Sequence, residues 1–254
     1  MSPDQTSVTA CLIIIGNEIL SGRTVDANLP HLAKRLGDIG VRLAEARVVA
    51  DDEQEIVDAV NACRARHDYV FTTGGIGPTH DDITAAAVAK AFGRAFERNA
   101  EAEARLLAHY PPEKVNEARM SMADMPEGAD LIDNPVSIAP GFRIENVHVM
   151  AGVPKIMQAM LDNVLPTLKG GAVTLSRSVT IFMPEGELAQ HLGELQNRHP
   201  ELDIGSYPFF GPEGPGSTIV FRGTDQGRID QAAETLIFIM TDLGVRLIDG
   251  PARS

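Results

Sequence analysis

Two adjacent carboxylates, Asp81 and Asp82, directly follow a glycine-rich turn. The run from Thr72 to Thr84 is T-T-G-G-I-G-P-T-H-D-D-I-T. Its glycines can adopt positive φ and let a ligand approach the backbone closely. The two carboxylates would repel a bound phosphate unless a cation or a proton lay between the charges. The run therefore predicts a site for a phosphate-bearing ligand, with a cation or a proton between the two carboxylates and the phosphate.

The residues on either side predict a strand, a tight turn and a helix. Asp68–Phe71 is an apolar, β-rich run, and 85–92 is rich in alanine. The opening N–H groups of a helix lack intrahelical partners and carry partial positive charge, which favours anions. Alternatively, either aspartate could cap the helix and the glycines could form only a turn. The combination at the end of a buried strand favours ligand binding. Known phosphate-binding motifs fit this run poorly. It lacks the lysine of the Walker motif, and His80 stands where the dinucleotide-binding motif has its third glycine.

The first half of the chain alternates between strand and helix patterns. Apolar runs predict strands at 8–15, 41–50 and 68–73, and helical spacing predicts helices at 26–36 and 53–66. This order indicates a doubly wound parallel sheet, whose ligands bind beyond the carboxyl ends of the strands. The loops Gly16–Thr24, Asp51–Asp52 and Gly74–Asp82 leave three such ends. We therefore expect them to share one crevice.

Further helices are predicted at 100–110, 115–122 and 155–168, with a short strand at 147–150 and a loop-rich stretch at 124–141. Lys169–Gly171 has the composition of a linker. The pattern beyond it, β-α-β-β-α-β, is typical of a small α+β domain of the split βαβ type. The predicted domains are residues 7–169, which hold the glycine turn, and residues 172–250.

Composition narrows the possible partners. The 254 residues include 22 basic and 35 acidic side chains, a net charge of −13. This balance argues against nucleic acid and anionic membranes as partners, because no basic excess exists to neutralise phosphates. No stretch approaches a membrane span, and the amino terminus lacks a signal pattern. Cys11 and Cys63 have no paired-ligand spacing and are interpreted as buried thiols in a reducing compartment. A cytoplasmic location is expected.

The thirteen-residue run closely resembles the signature of the CinA amino-terminal domain, a branch of the MoaB/Mog molybdopterin-binding family. It is also similar to the molybdopterin-like domain of eukaryotic FAD synthases. The resemblance covers roughly residues 12–168. The run G-N-E-I-L-S-G-R-T-V-D-A-N at Gly16–Asn28 resembles the first block of the family. Pro135, Ala139–Gly141 and Gly152–Pro154 resemble later blocks. It implies a MoaB/Mog-like three-layer sandwich, an α/β fold with a doubly wound, mostly parallel sheet, followed by the smaller α+β domain.

The resemblance also implies roles for particular residues. Asp81 and Asp82 correspond to metal-linked acids, and Asp51 is a further candidate metal ligand. Glu18 is either a catalytic base or a solvated loop carboxylate. His80 is either a proton-transfer group or a loop histidine. The predicted ligand-binding residues are Gly16, Asn17, Ser21, Gly22, Asn28, Thr73, Gly74, Gly75, Gly77, Pro78, Thr79, Gly152 and Pro154.

Two functions follow from the resemblance. One is metal-dependent pyrophosphatase action on ADP-ribose or a related dinucleotide such as FAD, with Mg²⁺, Mn²⁺ or Co²⁺. The alternative is non-catalytic binding, or adenylylation, of molybdopterin in molybdenum cofactor metabolism. Asn17 stands where many CinA-like proteins have aspartate, which favours binding, whereas the paired aspartates favour catalysis.

Two further expectations concern the whole protein. Ser254 ends the chain too early for the amidase domain of full-length CinA proteins, so deamidation is not predicted. Because members of the family form dimers or trimers, a homo-oligomer is expected.

Overall fold

The chain forms two compact units in the computed structural model, which describes residues 8–211 and 214–251. The first unit extends to Ala172 and the second begins at Val173. This division lies beside the predicted linker. Residue 7, the first of the predicted amino-terminal domain, lies outside the described residues.

The first unit combines a six-stranded sheet with flanking helices. The strands of this unit are β1 (Thr9–Ile15), β2 (Arg42–Val49), β3 (Tyr69–Thr73), β4 (Phe96–Arg98), β5 (Asp124–Pro126), β6 (Asp130–Ile132), β7 (Gly141–Ile144) and β8 (Val147–Met150). All of them except β4 and β5 belong to the six-stranded sheet. Its helices are α1 (Asn17–Leu20), α2 (Asn28–Gly37), α3 (Glu53–Arg64), α4 (Thr84–Phe92), α5 (Ala100–His109), α6 (Glu117–Met120) and α7 (Pro154–Val164).

The sheet order is β2-β1-β3-β8-β7-β6, and the first four of these strands are parallel. Strand β1 shows how three layers arise from one sequence pattern. Its odd-numbered side chains, Cys11, Ile13 and Ile15, pack in the core that contains α3 and α4. Its even-numbered side chains pack in the core that contains α2 and α7. A strand covered on both faces is apolar at nearly every position, as this one is. The predicted doubly wound, mostly parallel sheet is confirmed.

The stretch from 124 to 141, predicted to be loop, contains two short strands and leads into a third. Strand β7 pairs antiparallel with β8, β6 pairs antiparallel with β7, and β5 pairs separately with β4. Strands of three or four residues are too short to show the alternating pattern from which strands are recognised. The helix predicted at 115–122 is also shorter, because Asn116 accepts a hydrogen bond from the Arg119 N–H (2.9 Å) and so starts α6 at Glu117.

The second unit is a four-stranded antiparallel sheet with two helices. Its elements are β9 (Leu175–Ile181), α8 (Glu185–Arg198), β10 (Asp203–Gly211), β11 (Gly214–Gly223), α9 (Gln226–Asp242) and β12 (Leu247–Asp249). Side chains from both helices, such as Leu188 and Leu236, bury one face of the sheet with Ile219 and Phe221. The smaller α+β domain is thus confirmed. Across the described part of the chain, no helix has the length and hydropathy needed to cross a bilayer.

His148 gives the first unit a pH-dependent stability. It lies in β8, is 2% exposed and stacks on Phe71 with ring centroids 5.1 Å apart. Burial, with a smaller effect from Arg143, lowers its pKa to about 4. The unfolded chain, with a pKa of about 6.5, therefore binds a proton that the folded protein excludes. We expect stability to fall by about 3 kcal/mol as the pH drops from about 6.5 to about 4, and to level off below.

The measurement is the free energy of unfolding in urea across that pH range, for the wild type and for His148→Gln. Carboxylates contribute to both curves, so the difference between them isolates the histidine. Parallel curves for the two proteins would contradict the assignment.

Candidate ligand-binding site

The carboxyl ends of the parallel strands meet at one edge of the sheet. Strand β1 lies between β2 and β3, so the strand order reverses at β1, which is where doubly wound sheets bind ligands. The Gly16 N–H donates to the Val49 carbonyl (3.2 Å), and the Gly74 N–H donates to the Met150 carbonyl (3.3 Å). These bonds hold the four strand ends together. A crevice of about 580 Å³ opens beside them.

Most of the predicted site residues line this crevice, although they come from four separate segments. They are Gly16, Glu18, Asp51, Gly74, Gly75, Gly77, Pro78, Asp81, Asp82, Gly152 and Pro154. The convergence of loops expected from the strand order is therefore what the fold produces.

The glycine turn requires glycine for two separate reasons. Gly74 and Gly75 have φ values of +105° and +65°, which L side chains rarely adopt. A Cβ at Gly74 would also come 2.1 Å from the Ile15 carbonyl oxygen, and one at Gly75 would come 2.2 Å from Thr84 Oγ1. Thr84 fastens the turn to α4, because its hydroxyl donates to the Gly74 carbonyl (2.9 Å) and its N–H donates to the Gly75 carbonyl (3.0 Å). The turn is rigid and presents backbone to the crevice.

Neither aspartate of the turn caps α4. The residue before that helix is Ile83, and no side chain caps it. Instead the Thr79 hydroxyl lies 2.5 Å from Asp81 Oδ1 and 2.6 Å from Asp82 Oδ2, and the Thr79 N–H donates to Asp82 Oδ2 (2.8 Å). A hydroxyl group has one proton, so it can donate to only one of these two oxygens at a time. Its hydrogen bond lowers the pKa of Asp81. The arrangement keeps negative charge concentrated at the crevice and disfavours the capping alternative.

The donor set of the crevice suits a hard divalent cation. Asp51 lines the crevice with Asp81 and Asp82, and its Oδ2 accepts the Asn17 N–H (2.9 Å), which leaves the other oxygen available. Carboxylate oxygens are the ligands that Mg²⁺ and Mn²⁺ prefer. The three aspartates do not place their oxygens within 4.8 Å of one another. Mg²⁺ commonly uses one or two carboxylates and completes its coordination with water and substrate phosphate, so the residues fit an ion that arrives with its ligand.

The other predicted residues lie around the crevice. Asn28 and Thr73 line a small adjoining cavity with Glu18, and the buried Asn28 amide donates to the Gly152 carbonyl (2.8 Å). Thr79 lines another neighbouring cavity, next to Asp82. The side chain of His80 is 98% exposed.

Three predicted ligand-binding residues, Asn17, Ser21 and Gly22, line none of these cavities. Asn17 contributes its N–H to Asp51, and the Ser21 hydroxyl donates to the Glu18 carbonyl (3.2 Å). Direct ligand contacts for these three residues stay predictions.

Asn134 and Ser137 line the crevice but were not predicted. Asn134 is 5% exposed, and its amide donates to the Ser137 hydroxyl (2.7 Å) and the Ala139 carbonyl (2.8 Å). Between them Ile138 has a φ of +69°, a rare conformation for a β-branched residue. This loop reaches the site because β7 runs antiparallel to β8, so the start of β7 lies beside the end of β8. The Asn-Pro and Ala-Pro-Gly motifs are the sequence signal for it.

Asp51 and Asp52 are neighbours with different surroundings, which gives a matched test. Asp52 caps α3 by accepting the N–H groups of Gln54 (2.9 Å) and Glu55 (3.0 Å), whereas Asp51 lines the crevice. We expect Asp52→Ala to lower the free energy of unfolding by about 1 kcal/mol and to leave ligand binding unchanged. Asp51→Asn should weaken metal-dependent binding of ADP-ribose with little effect on stability. Urea denaturation and calorimetric titration measure the two effects, and the reverse pattern would contradict the placement.

Comparison with known proteins gives the same architecture. Residues 11–170 match the family model described as the probable molybdopterin binding domain, and residues 173–244 match the FAD synthase middle domain. A protein of Archaeoglobus fulgidus is 32% identical over 91% of this chain and 97% of its own length. A CinA-like protein of Gemmatimonas aurantiaca is 37% identical over 72% of this chain, which covers 46% of that relative.

A solved structure extends the comparison to three dimensions. The protein CinA from Thermoplasma acidophilum, whose function is described as unknown, is 33% identical, with a TM-score of 0.61 over 65% of this chain and 99% of that chain. The match over residues 11–170 defines the class of protein, the family described as the probable molybdopterin binding domain. Within that class, the chain belongs to the CinA-like family.

Proposed function

We propose that the crevice is the active site of a metal-dependent pyrophosphatase that cleaves ADP-ribose or a related dinucleotide such as FAD. One observation carries the proposal: Asp81 and Asp82 line the crevice with a shared hydroxyl and do not cap α4. Two adjacent carboxylates beside a glycine turn are useful when a cation lies between them and the phosphate of a ligand.

The rest of the crevice suits a nucleotide. Its volume of about 580 Å³ lies within the usual range for cofactor and ligand sites, about 300 to 1,000 Å³. Gly75 and Gly77 line the crevice, and the adjoining amino-terminal end of α4 carries partial positive charge. Met122 and Ile156 provide apolar surface on which a base can lie. The match to the FAD synthase middle domain supports a nucleotide as ligand.

In the proposed reaction, water attacks one phosphorus of the anhydride and the P–O bond to the other phosphate breaks. ADP-ribose and water give AMP and ribose 5-phosphate. Asp81 and Asp82, with Asp51, would hold Mg²⁺, Mn²⁺ or Co²⁺, which lowers the pKa of the attacking water and offsets the developing charge. The glycine turn orients the pyrophosphate. Glu18, which lines the crevice and folds back over Gly16, accepts the proton of the water.

A second candidate is binding or adenylylation of molybdopterin. The match to the probable molybdopterin binding domain supports it, and Asn17 supplies no negative charge for a metal ion. The same crevice would then hold the phosphate of the pterin without hydrolysing it.

The experiment that tests the proposal is chromatography of AMP after incubation of the purified protein with ADP-ribose or FAD. Each substrate is tested with Mg²⁺, Mn²⁺, Co²⁺ and with a chelator. We expect AMP only in the presence of metal. Absence of AMP with all three metals, together with saturable binding of molybdopterin, would replace the proposal with the second candidate.

A further inference from the structure

A second group of potential ligands lies in the first unit, away from the crevice. Cys11 Sγ and Cys63 Sγ are 3.0 Å apart, and His67 Nε2 is 3.0 Å from Glu45 Oε2. Ligand atoms of Cys11, Glu45 and His67 all lie within 4.8 Å of one another, and Cys63 is not part of this group but contacts Cys11. Both cysteines are buried and free, as the sequence analysis interpreted them, and the fold brings them into contact. We refer to these four residues as the thiol cluster.

The fold assembles the thiol cluster from three elements. Cys11 on β1 and Glu45 on β2 are paired residues of neighbouring strands, and the register shifts between Ala10 and Cys11. Such irregularities re-aim side chains and are common beside functional sites. Cys63 lies in the last turn of α3, and His67 follows three residues after that helix ends, where its N–H donates to the Cys63 carbonyl (3.1 Å).

The burial of the cluster is unusual for such polar groups. Both cysteines are 0% exposed, and the side chains of His67 and Glu45 are 8% and 22% exposed. Ionisable side chains are seldom buried to this degree unless they are paired or bind a metal.

The charges around the cluster match a metal with thiolate ligands. The Arg47 Nε donates to Glu45 Oε1 (2.7 Å), and Arg66 lies 3.3 Å from Glu45 Oε2. Arg47 therefore orients the carboxylate, as outer partners of metal ligands do. The Cys11 thiol donates to Cys63 Sγ (3.0 Å). Two thiolates and a carboxylate on a divalent ion leave one negative charge, which the two arginines offset.

We propose that Cys11, Cys63, Glu45 and His67 bind a structural zinc ion that fastens β1, β2 and the end of α3 together. Sulfur, imidazole nitrogen and carboxylate are the donors that zinc accepts in closed, four-coordinate sites. Binding displaces the remaining thiol protons to solvent. It also separates the two sulfur atoms to about 3.8 Å, the spacing of ligands at about 2.3 Å in a tetrahedron. The site is distinct from the crevice, which none of the four residues lines.

The test uses the full chain, reduced with a phosphine and stripped of metal with a chelator. Titration with Co²⁺ is followed by absorption, because cobalt thiolates give a charge-transfer band and four-coordinate cobalt gives strong visible bands. We expect saturation at one equivalent, displacement of cobalt by Zn²⁺, and a zinc-dependent rise of Tm. Cys63→Ser should weaken the charge-transfer band.

His67→Gln and Glu45→Gln change less buried positions, so they test the site even if a cysteine variant fails to fold. Each should weaken cobalt binding at least tenfold and reduce the zinc-dependent rise of Tm. His191→Gln is the control. His191 lies on α8 in the second unit, three residues from Glu194, and it does not belong to the thiol cluster. Absence of the charge-transfer band, or equal binding in the wild type and His67→Gln, would overturn the proposal. Oxidation of the two thiols to a disulfide without metal uptake would overturn it as well.

Discussion

Asp81→Asn and Asp82→Asn are each expected to reduce metal-dependent AMP release by about 10²-fold or more. Asparagine keeps the size of the side chain and one acceptor oxygen but removes the charge that would hold the cation. Stability should change by less than about 0.5 kcal/mol, because neither side chain caps α4 and the side chain of Asp81 is 63% exposed. Product chromatography and urea denaturation measure the two quantities.

Asp58→Asn is the control for this prediction. Asp58 is an exposed aspartate on α3 that accepts a hydrogen bond from Gln54 (2.9 Å) and does not line the crevice. The same charge change there should leave AMP release unaltered. Undiminished AMP release in both crevice variants would exclude the paired aspartates as cation ligands.

Gly74→Ala is expected to lower the free energy of unfolding by about 3 kcal/mol or more. Two costs add, because the new residue must keep a φ of +105° and its Cβ would come 2.1 Å from the Ile15 carbonyl oxygen. The ends of β1 and β3 would have to separate, so ligand binding should also be lost. The measurement is the free energy of unfolding in urea, followed by titration with ADP-ribose and Mg²⁺.

Gly93→Ala separates the two costs. Gly93 ends α4 with a φ of +61°, and a Cβ there would meet no atom within 4 Å. The free energy of unfolding of Gly93→Ala should fall only by the cost of the left-handed conformation, about 1 to 2 kcal/mol. Equal losses at both positions would show that contact with Ile15 contributes nothing. If Gly74→Ala is insoluble, Thr84→Val tests the turn more mildly, because it removes the hydrogen bond to the Gly74 carbonyl.

The parts of the fold that could be predicted are those with a strong local pattern. Strand β1 is apolar on both faces, and a run of glycines after an apolar strand is a strong signal for a turn. The order of strands and helices then led to one crevice at the sheet edge. Strands β4 to β7 have three or four residues each, so their pairing depends on neighbours distant in sequence. The loop that contains Asn134 enters the site only through that pairing.

Other features depended on tertiary structure alone. Asp51 and Asp52 are identical in type and adjacent, and only the start of α3 decides that one caps and the other lines the crevice. Cys11 and Cys63 are 52 residues apart, and their contact requires α3 to cross β1 at a particular turn. The spacing of these residues along the chain predicts neither relation.

The most direct test of the central claim is a crystal structure of the protein with Mn²⁺ and AMP, the expected product. Anomalous scattering locates the manganese without reference to the protein coordinates. The account predicts an anomalous peak at the carboxylates of Asp81 and Asp82, with the phosphate of AMP against the backbone of Gly74–Gly77. Manganese absent from these carboxylates while AMP occupies another surface would contradict it.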